Sequence, residues 1–363
     1  MSPVVVKLGS SIVADETGAL RSDVLASVCA DIAALRDKGE QVVVVSSGAI
    51  ARGIEAIGLP GRPKAIDELQ AASAVGQAAM FRAWEEGLGT HGLLAAQVLM
   101  TLHDIADRDS NLKIGATLQR LLEWNAVPVI NENDTTTTDE ITFGDNDLLA
   151  AQLSILLGAK LLVLLTDADG LHESDPRVGP SSPIIDVVSD LSQIEGFQIG
   201  QHAGELGSGG MRSKVVAAEM ATSAGIETVV GPGRRIGTLL AAVNGESVGT
   251  RFRAKDVRHS SFKSWLRYAK PAKGRLVVDA GAASALVGSG TSLLPVGITE
   301  VEGNFEVGDA VEVVHEGRVI GKGLVSFSSA ELSRVAGKKS EQVRAEFPRA
   351  TDEAVHRDRF VLA

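Results

Sequence analysis

The chain has 363 residues, of which 44% are hydrophobic and 4% are aromatic, and its formal net charge is −11. This length exceeds what a single hydrophobic core usually serves, so we expect two domains. A single cysteine excludes an intramolecular disulfide, and polar residues interrupt both the N-terminal apolar run and the stretch 148–165, so we expect a soluble cytoplasmic protein without a signal peptide or a membrane span.

From residue 4 onward, short apolar runs alternate with longer stretches of helical periodicity. Strands are predicted at 4–8, 41–45, 93–99, 127–130, 161–165 and 228–230, and helices at about 22–38, 64–86, 111–125, 148–157 and 211–224. Repeated strand–helix units of this kind predict an α/β fold with a parallel sheet covered by helices on both faces. Cys29 lies on the apolar face of the first helix and is predicted to belong to the core. The Ala-rich helix at 64–86 fits either core or an interface between subunits.

The pattern changes at Gly274, after which glycines separate short apolar runs. These runs, at 276–279, 310–314, 319–320 and 323–327, predict a small β-rich barrel or sandwich. The net charge is −15 over 1–250, +7 over 251–273 and −3 over 274–363. We therefore predict a first domain at 1–250, a basic linker at 251–273 and a second domain at 274–363. The basic segment could contact nucleic acid, but an acidic neighbouring domain is the partner that we favour.

The stretch 127–147 begins as an apolar strand and continues as a strongly acidic polar segment. Its acidic residues are Glu132, Asp134, Asp139, Glu140, Asp145 and Asp147, and no lysine or arginine accompanies them. Such a segment repels itself unless a metal ion, a ligand ammonium or lysines from elsewhere lie against it. A solvated surface loop is the alternative. Because the segment follows a buried strand and leads into an apolar helix, we favour a ligand site, since ligand-binding loops of α/β sheets lie there.

Three small-residue turns accompany the predicted strands and helices of the first domain. They lie at Lys7–Ser11, Ser46–Ala49 and Ser208–Lys214. Glycines let backbone N–H groups approach an anion, and a following helix N-terminus favours negative charge. Each turn alone is most often only a turn. Together, with two lysines and an acidic loop nearby, they predict a phosphoryl-transfer site that places Mg²⁺ by carboxylates.

Other signatures of nucleotide and metal sites are absent from the sequence. It contains no G-x-x-x-x-G-K-[ST] P-loop, no well-placed G-x-G-x-x-G and no G-x-S-x-G elbow. The seven histidines are scattered without the spacing of zinc ligands. A P-loop nucleotidase, a dinucleotide-binding enzyme and a zinc enzyme are therefore not supported.

Several of these motifs together resemble the amino acid kinase family, and within it the glutamate 5-kinases. The motifs of the first domain are VVVKLGSS, VVSSGAIARG, VPVINEND, FGDNDLLAA, LLTDADGL with DPR, and SGGMRSK. In the last block TSLLPVGI, VEGNFEVGDAVEV and AVHRD resemble the PUA domain of bacterial members. The resemblance implies a three-layer αβα sandwich with a mostly parallel open sheet, followed by a small β-barrel-like PUA domain. It also implies ATP- and Mg²⁺-dependent phosphorylation of the L-glutamate γ-carboxylate, the first step of proline synthesis, with proline as feedback inhibitor and a dimer or tetramer as the assembly.

The resemblance also assigns roles to residues of this chain. Lys7 and Lys214 would straddle the transferring phosphoryl group, and Asp147 would hold both lysines. Mg²⁺ would be held mainly by the ATP phosphates, with Asp147 as a candidate to contribute. Ser47, Asp134 and Asn146 match substrate-binding positions, where Asp134 would bind the ammonium and the other two would donate to carboxylates. The matching nucleotide-binding positions are Lys7, Thr166, Asp167, Ser208, Gly209, Gly210, Met211, Arg212, Ser213 and Lys214.

Two departures from the family pattern are small, and two alternative functions stay open. Ser46 and Ser208 stand where many members have threonine, and both keep the hydroxyl. One alternative is a related amino acid kinase that acts on another carboxylate or on carbamate. The other is an RNA-binding protein, since PUA domains elsewhere bind RNA. The net charge of −3 over 274–363 disfavours nucleic acid as a partner.

Overall fold

The structure, a computed structural model, describes residues 2–136, 145–174, 182–194, 210–254, 263, 266–267, 270–347 and 351–363. The chain divides into two compact units, residues 1–258 and 259–363. The division point lies inside the segment predicted as a linker. Among the described residues, no helix is both long enough and apolar enough to cross a membrane.

The first unit alternates strands and helices along most of its length. Its strands are β1 (Val4–Leu8), β2 (Val42–Ser46), β3 (Ala95–Met100), β4 (Val127–Glu132), β5 (Leu161–Thr166), β6 (Val187–Val188), β7 (Glu227–Pro232) and β8 (Thr250–Phe252). Its helices are α1 (Ser10–Val13), α2 (Ser22–Asp37), α3 (Ala49–Ile57), α4 (Ile66–Gly89), α5 (Leu102–Ala106), α6 (Arg108–Glu123), α7 (Asp145–Leu157), α8 (Met211–Ser223) and α9 (Thr238–Asn244), with a 3-10 turn at Leu191–Ile194. Each predicted strand and helix of this unit is present.

The strands of the first unit form one sheet in the order β3-β4-β2-β1-β5-β7-β8-β6 across the described residues. Every pairing is parallel except β7 with β8, which is antiparallel. The prediction of a mostly parallel sheet is therefore confirmed. Strands β6 and β8 were not predicted, because two or three residues are too few to show a period.

Helices cover both faces of this sheet, as the α/β prediction requires. Val4, Val6 and Leu8 of β1 belong to a buried cluster that includes Cys29 of α2 and Trp84 of α4. Successive residues of a strand face opposite sides, so Lys7 lies on the other face, where α7 and α8 pack. Cys29 is fully buried, which confirms its prediction as a core residue.

Helix α3, which was not predicted, packs unusually closely against α4. A Cβ atom built on Gly53 of α3 would lie 1.7 Å from the carbonyl oxygen of Ala72, and one built on Gly76 of α4 would lie 1.9 Å from that of Ala49. The two backbones therefore touch, and only glycine fits at these positions. The face of α4 toward the sheet is core, whereas Val75 on its other face is 48% exposed.

The second unit is built around an antiparallel-rich sheet. Its strands are β9 (Ala272–Val278), β10 (Ile298–Gly303), β11 (Ala310–His315), β12 (Arg318–Val325) and β13 (Val355–Leu362), and its helices are α10 (Ala280–Ser289), α11 (Ser329–Val335) and α12 (Ser340–Glu346), with a 3-10 turn at Pro295–Gly297. The order is β10-β9-β11-β12-β13, with β9 and β11 parallel. The β-rich prediction is confirmed. Strand β12 joins the runs predicted at 319–320 and 323–327, and β10, β13 and the helices were missed.

Candidate active site

Polar side chains gather where the central strands of the first sheet end. Strands β4, β2, β1 and β5 are neighbours and parallel, so their carboxyl ends meet at one edge of the sheet. Lys7 lies near the end of β1, Asn131 near the end of β4, and Thr166 at the end of β5, while Ser47 directly follows β2. This edge is where open α/β sheets bind ligands.

A buried ion cluster lies at this edge and joins three segments that are far apart in sequence. The Lys7 Nζ atom is 2.7 Å from Asp147 Oδ1, and the Lys214 Nζ atom is 3.1 Å from Asp147 Oδ2. The Ser213 hydroxyl lies 2.7 Å from the same Oδ2 atom and donates to it. Asp147 is 0% exposed and each lysine 4%. The structure thus brings together the three residues predicted to act in phosphoryl transfer.

The charges of this cluster explain how its groups ionise. Burial would raise the pKa of the Asp147 carboxyl, but the two ammonium groups and the Ser213 hydroxyl outweigh it and hold that pKa well below its usual range. Burial and the neighbouring Lys214 lower the pKa of Lys7, although the attraction of Asp147 opposes this. With both lysines charged the cluster carries one excess positive charge in a dry environment. It therefore favours an anion such as a phosphoryl group.

Asp147 itself is poorly placed to bind a metal, because each of its carboxylate oxygens already lies against a lysine. Within the described ranges, no group of three or more His, Cys, Asp or Glu side chains is placed to hold a metal ion. That Mg²⁺ is held mainly by the ATP phosphates stays a prediction. The donor set gives no support to a direct bond from Asp147.

A chain of polar side chains adjoins the ion cluster, because Asn146 precedes Asp147 at the start of α7. The Asn146 Nδ2 atom donates to Ser47 Oγ at 2.9 Å and to Asn131 Oδ1 at 3.1 Å. The Asn131 Nδ2 atom in turn donates to Gln77 Oε1 of α4 at 2.6 Å. Two of the predicted substrate-binding residues, Ser47 and Asn146, are thus in direct contact.

The third predicted substrate-binding residue, Asp134, is also hydrogen-bonded to α4. Its Oδ2 atom accepts a hydrogen bond of 2.6 Å from the Ser73 hydroxyl. Burial raises the pKa of the Asp134 carboxyl, while Ser73 and the Arg62 guanidinium act in the opposite direction. Asp134 is half-buried, so water screens its charge less than on an open surface, and a cationic ligand group would be attracted to it.

The predicted nucleotide-binding residues that the structure describes, apart from Lys7, lie at the end of β5 and at the start of α8, the helix that carries Lys214. Thr166 is buried at the end of β5, and its hydroxyl donates to the exposed Asp167 carboxylate at 3.1 Å. Gly210 precedes the first turn of α8, in which Met211 is half-buried and Arg212 exposed. Ser208 and Gly209 lie outside the described residues.

Comparisons with known proteins give matches over most of the chain. Residues 2–232 match the model of the amino acid kinase family, and residues 274–347 match that of the PUA domain. The chain is 45% identical to a glutamate 5-kinase of Meiothermus ruber, over 99% of this chain and 95% of that protein. It is 43% identical to one of Thermus thermophilus (99% and 96%) and 42% identical to one of Pelobacter propionicus (99% and 97%). The chain belongs to the glutamate 5-kinases of the amino acid kinase family. The family resemblance, the fold and the enzyme class expected from the sequence are therefore confirmed.

Two polar residues of α4 contact the site of this glutamate 5-kinase family member and were not predicted from its sequence. Ser73 and Gln77 are four residues apart, so they lie on the same face of the helix. They were missed because an Ala-rich helix with a few polar residues is usual for a half-buried helix. Their spacing was the available signal, since two polar residues at this interval break an otherwise apolar face.

Proposed function

We propose that the protein transfers the γ-phosphoryl group of ATP to the γ-carboxylate of L-glutamate, which yields L-glutamyl 5-phosphate and ADP. This reaction is the first step of proline biosynthesis. The observation that carries the proposal is the buried cluster of Lys7, Asp147 and Lys214, directly adjacent in sequence and space to the amide cluster at Asn146. Identities of 42–45% over nearly the whole chain to proteins named glutamate 5-kinase support the choice of substrate.

Lys7 and Lys214 would act on the nucleotide side of the site. A bound ATP supplies the phosphoryl group, and Mg²⁺ held by its phosphates offsets part of their charge. The two ammonium groups are held apart by Asp147, so they can flank the transferring group without moving in the transition state. Fixed charges of this kind lose no reorganisation energy during the reaction. Thr166, Asp167 and the start of α8 would hold the rest of the nucleotide.

On the other side, the polar residues match the groups of an α-amino acid. The Asp134 carboxylate would accept the substrate ammonium. Ser47 Oγ already accepts a hydrogen bond from Asn146, so its own proton is available for a substrate carboxylate. Both Nδ2 protons of Asn146 are used on Ser47 and Asn131, which leaves its oxygen as an acceptor. We therefore propose that Asn146 accepts from the ammonium, in place of the donor role that the family pattern first suggested.

The proposed chemistry needs no general base. A glutamate side chain has a pKa of about 4.3 and is already ionised near neutral pH. One γ-carboxylate oxygen forms a bond to the γ-phosphorus as the bond from that phosphorus to the β,γ-bridging oxygen breaks, and ADP keeps the electron pair. No proton is transferred in this step. The protein's contribution is therefore positioning and charge stabilisation, which is the usual division in phosphoryl transfer.

Coupled ADP-release assays with Mg·ATP would test this function. L-Glutamate, L-aspartate, N-acetyl-L-glutamate and carbamate should be compared, with hydroxylamine added to trap an acyl phosphate as a hydroxamate. We expect ADP release and hydroxamate with glutamate at kcat/KM at least about 100-fold above the other acids, on the scale by which a mismatched polar site discriminates. Equal or better turnover of another acid would reassign the substrate. No ADP release with any of them would refute the proposal.

We further propose that L-proline inhibits the enzyme by binding in the amino acid site. Proline carries an α-carboxylate and a secondary ammonium, so the groups around Asp134 and Asn146 could bind it as they bind glutamate. Its ring has no γ-carboxylate to phosphorylate. The expected result is an inhibition that raises the KM for glutamate and leaves the KM for ATP unchanged. Inhibition that glutamate does not relieve would place proline elsewhere.

A further inference from the structure

Helix α4 reaches the amino acid site with two polar side chains that the proposed reaction does not itself require. Ser73 donates to Asp134 Oδ2 at 2.6 Å, and Gln77 Oε1 accepts from Asn131 Nδ2 at 2.6 Å. The two residues are one helical turn apart, so a single rigid element holds Asp134 and Asn131 side by side. Ser73 is 3% exposed and Gln77 is half-buried, so water competes weakly with these bonds.

The bond from Gln77 determines the orientation of the amides beyond it. Because Gln77 presents an oxygen, Asn131 must turn its Nδ2 toward α4 and its Oδ1 toward Asn146. Asn146 then donates its two Nδ2 protons to Asn131 and Ser47, so its Oδ1 atom points away from both of them. That Asn146 Oδ1 atom is buried and has no hydrogen-bond partner among the described residues. A buried acceptor without a partner is costly, so a ligand donor is expected there.

The position of α4 is itself constrained by backbone contacts. Gly76, next to Gln77, lies against the carbonyl oxygen of Ala49, and a Cβ atom there would be only 1.9 Å from it. Ala49 begins α3, which follows the turn that carries Ser47. The same helix contact therefore sets the distance between the Ser47 turn and the α4 side chains. A helix that could slide would not keep hydrogen bonds as short as 2.6 Å.

We propose that Gln77 and Ser73 are positioning residues that build the ammonium site for the amino acid substrate. Gln77 acts through Asn131 to aim the Asn146 oxygen at the ammonium, and Ser73 holds the Asp134 carboxylate beside it. The inference rests on the proposed function, because it assumes an α-amino acid substrate. It adds that recognition of the ammonium, separately from that of the carboxylates, depends on α4.

The main test replaces Gln77 with methionine, which keeps the length of the side chain and removes the acceptor, and with glutamate, which keeps an acceptor. Gln77→Met should raise the KM for glutamate about three- to tenfold, as loss of one hydrogen bond does, with the KM for ATP and kcat within about twofold of wild type. Gln77→Glu should recover most of that loss. Glu85→Gln, on the exposed side of α4, is the matched control and should behave as wild type.

Glutarate separates positioning of the ammonium site from a general structural effect, because it has both carboxylates of glutamate and no ammonium. Its competitive inhibition constant should be the same for wild type and Gln77→Met. A loss of glutarate affinity equal to the loss for glutamate would overturn the proposal, as would an unchanged glutamate KM. Ser73→Ala should show the same selectivity for glutamate over glutarate, and it provides a second readout where Gln77→Met folds poorly.

A double-mutant cycle tests whether Gln77 acts through Asn131. Asn131→Ala and Gln77→Met combined should cost no more than Asn131→Ala alone, because residues that act in one network are not additive. Additive effects would contradict the relay. The wild-type protein in the same assay keeps the two hypotheses apart: absence of glutamate-dependent ADP release refutes the proposed function, whereas normal wild-type turnover with unaffected α4 variants refutes this inference alone.

Discussion

Replacing Asp147 with asparagine tests the ion cluster most directly, because the change keeps the shape of the side chain and removes its charge. Lys7 and Lys214 would then face each other across a neutral amide, with their former contacts at 2.7 and 3.1 Å. All three residues are buried, so solvent does not screen the repulsion. We expect loss of both stability and turnover.

The expected magnitude follows from two independent estimates. Removing one partner of a buried ion pair typically costs about 3–5 kcal/mol of the free energy of unfolding. If one lysine instead lost its proton, moving from an ordinary pKa of about 10.4 to neutrality at pH 7.5 would cost about 4 kcal/mol. Either route lowers the melting temperature of the first unit by roughly 6–20 °C. The fall in kcat should be about 10²- to 10³-fold, as for loss of a preorganised electrostatic group.

The stability difference between wild type and Asp147→Asn should depend on pH in a direction that a merely structural change would not produce. The folded pKa of Asp147 lies below its unfolded value, so its contribution to stability is present above the unfolded pKa and is lost as pH falls through the folded pKa. Wild type should therefore be more stable than Asp147→Asn at pH 7.5, and the difference should shrink steadily below about pH 4.

Urea unfolding at a series of pH values and ADP-release kinetics would measure both effects. The control is Asp37→Asn, which removes an exposed carboxylate at the end of α2 and should change neither stability nor kcat. Wild-type kcat in a folded Asp147→Asn protein would remove Asp147 from the mechanism. An unfolding free energy that matched wild type at pH 7.5 would show that the lysines do not need this carboxylate.

Three further predictions concern the wall of the substrate site and the core. Asp134→Asn should raise the KM for glutamate at least about tenfold. Because burial raises the folded pKa of Asp134, its carboxyl stabilises the protein below the unfolded pKa and loses that contribution as pH rises through the folded value. In the absence of substrate, Asp134→Asn should therefore resist urea better than wild type at pH 8. A lower urea resistance than wild type at this pH would contradict the burial argument. Gly76→Ala would place a Cβ atom 1.9 Å from the Ala49 carbonyl oxygen, so it should lower the free energy of unfolding by about 1–3 kcal/mol and raise the KM for glutamate. The control Gly61→Ala, which has open space around it, should change neither quantity. Burial raises the pKa of the Cys29 thiol to about 12, so a thiol reagent at pH 8 should modify it only after unfolding. Modification in native buffer at the rate of a free thiol would show that α2 opens readily.

Much of the first unit was predictable because its elements are long and their periods are clear. Strands such as β1 and β5 consist almost wholly of buried aliphatic residues, and the helices between them carry one apolar face. The elements that were not predicted are short or lack a clear period. Strands β6 and β8 are two and three residues long, and α3 follows β2 after a turn too short to separate them by pattern. In the second unit, alternating glutamates hid β10, and a run of consecutive polar and charged residues at 356–359 hid β13.

The features of the candidate site also divide into those set by local sequence and those set by contacts between distant residues. Turns rich in glycine and serine, an acidic segment without basic residues and two lysines beside such turns were visible in the sequence, because local composition determines charge and backbone freedom. These features therefore predicted a phosphoryl-transfer site, with a metal ion, a ligand ammonium or lysines from elsewhere as the positive partner of the acidic segment. They could not show that Lys7 and Lys214 share one carboxylate, because that contact joins residues far apart in the chain.

The tertiary structure decided which atoms of the site remain available to a ligand. A sequence states that Asn146 has a donor and an acceptor, but only its neighbours determine which of them is already used. Here Ser47 and Asn131 take the donors, and Gln77 sets the orientation of Asn131 from a helix whose sequence fits either core or a subunit interface. Hydrogen bonds are directional and short, so their partners depend on packing to within a fraction of an ångström, and this packing is a property of the whole fold.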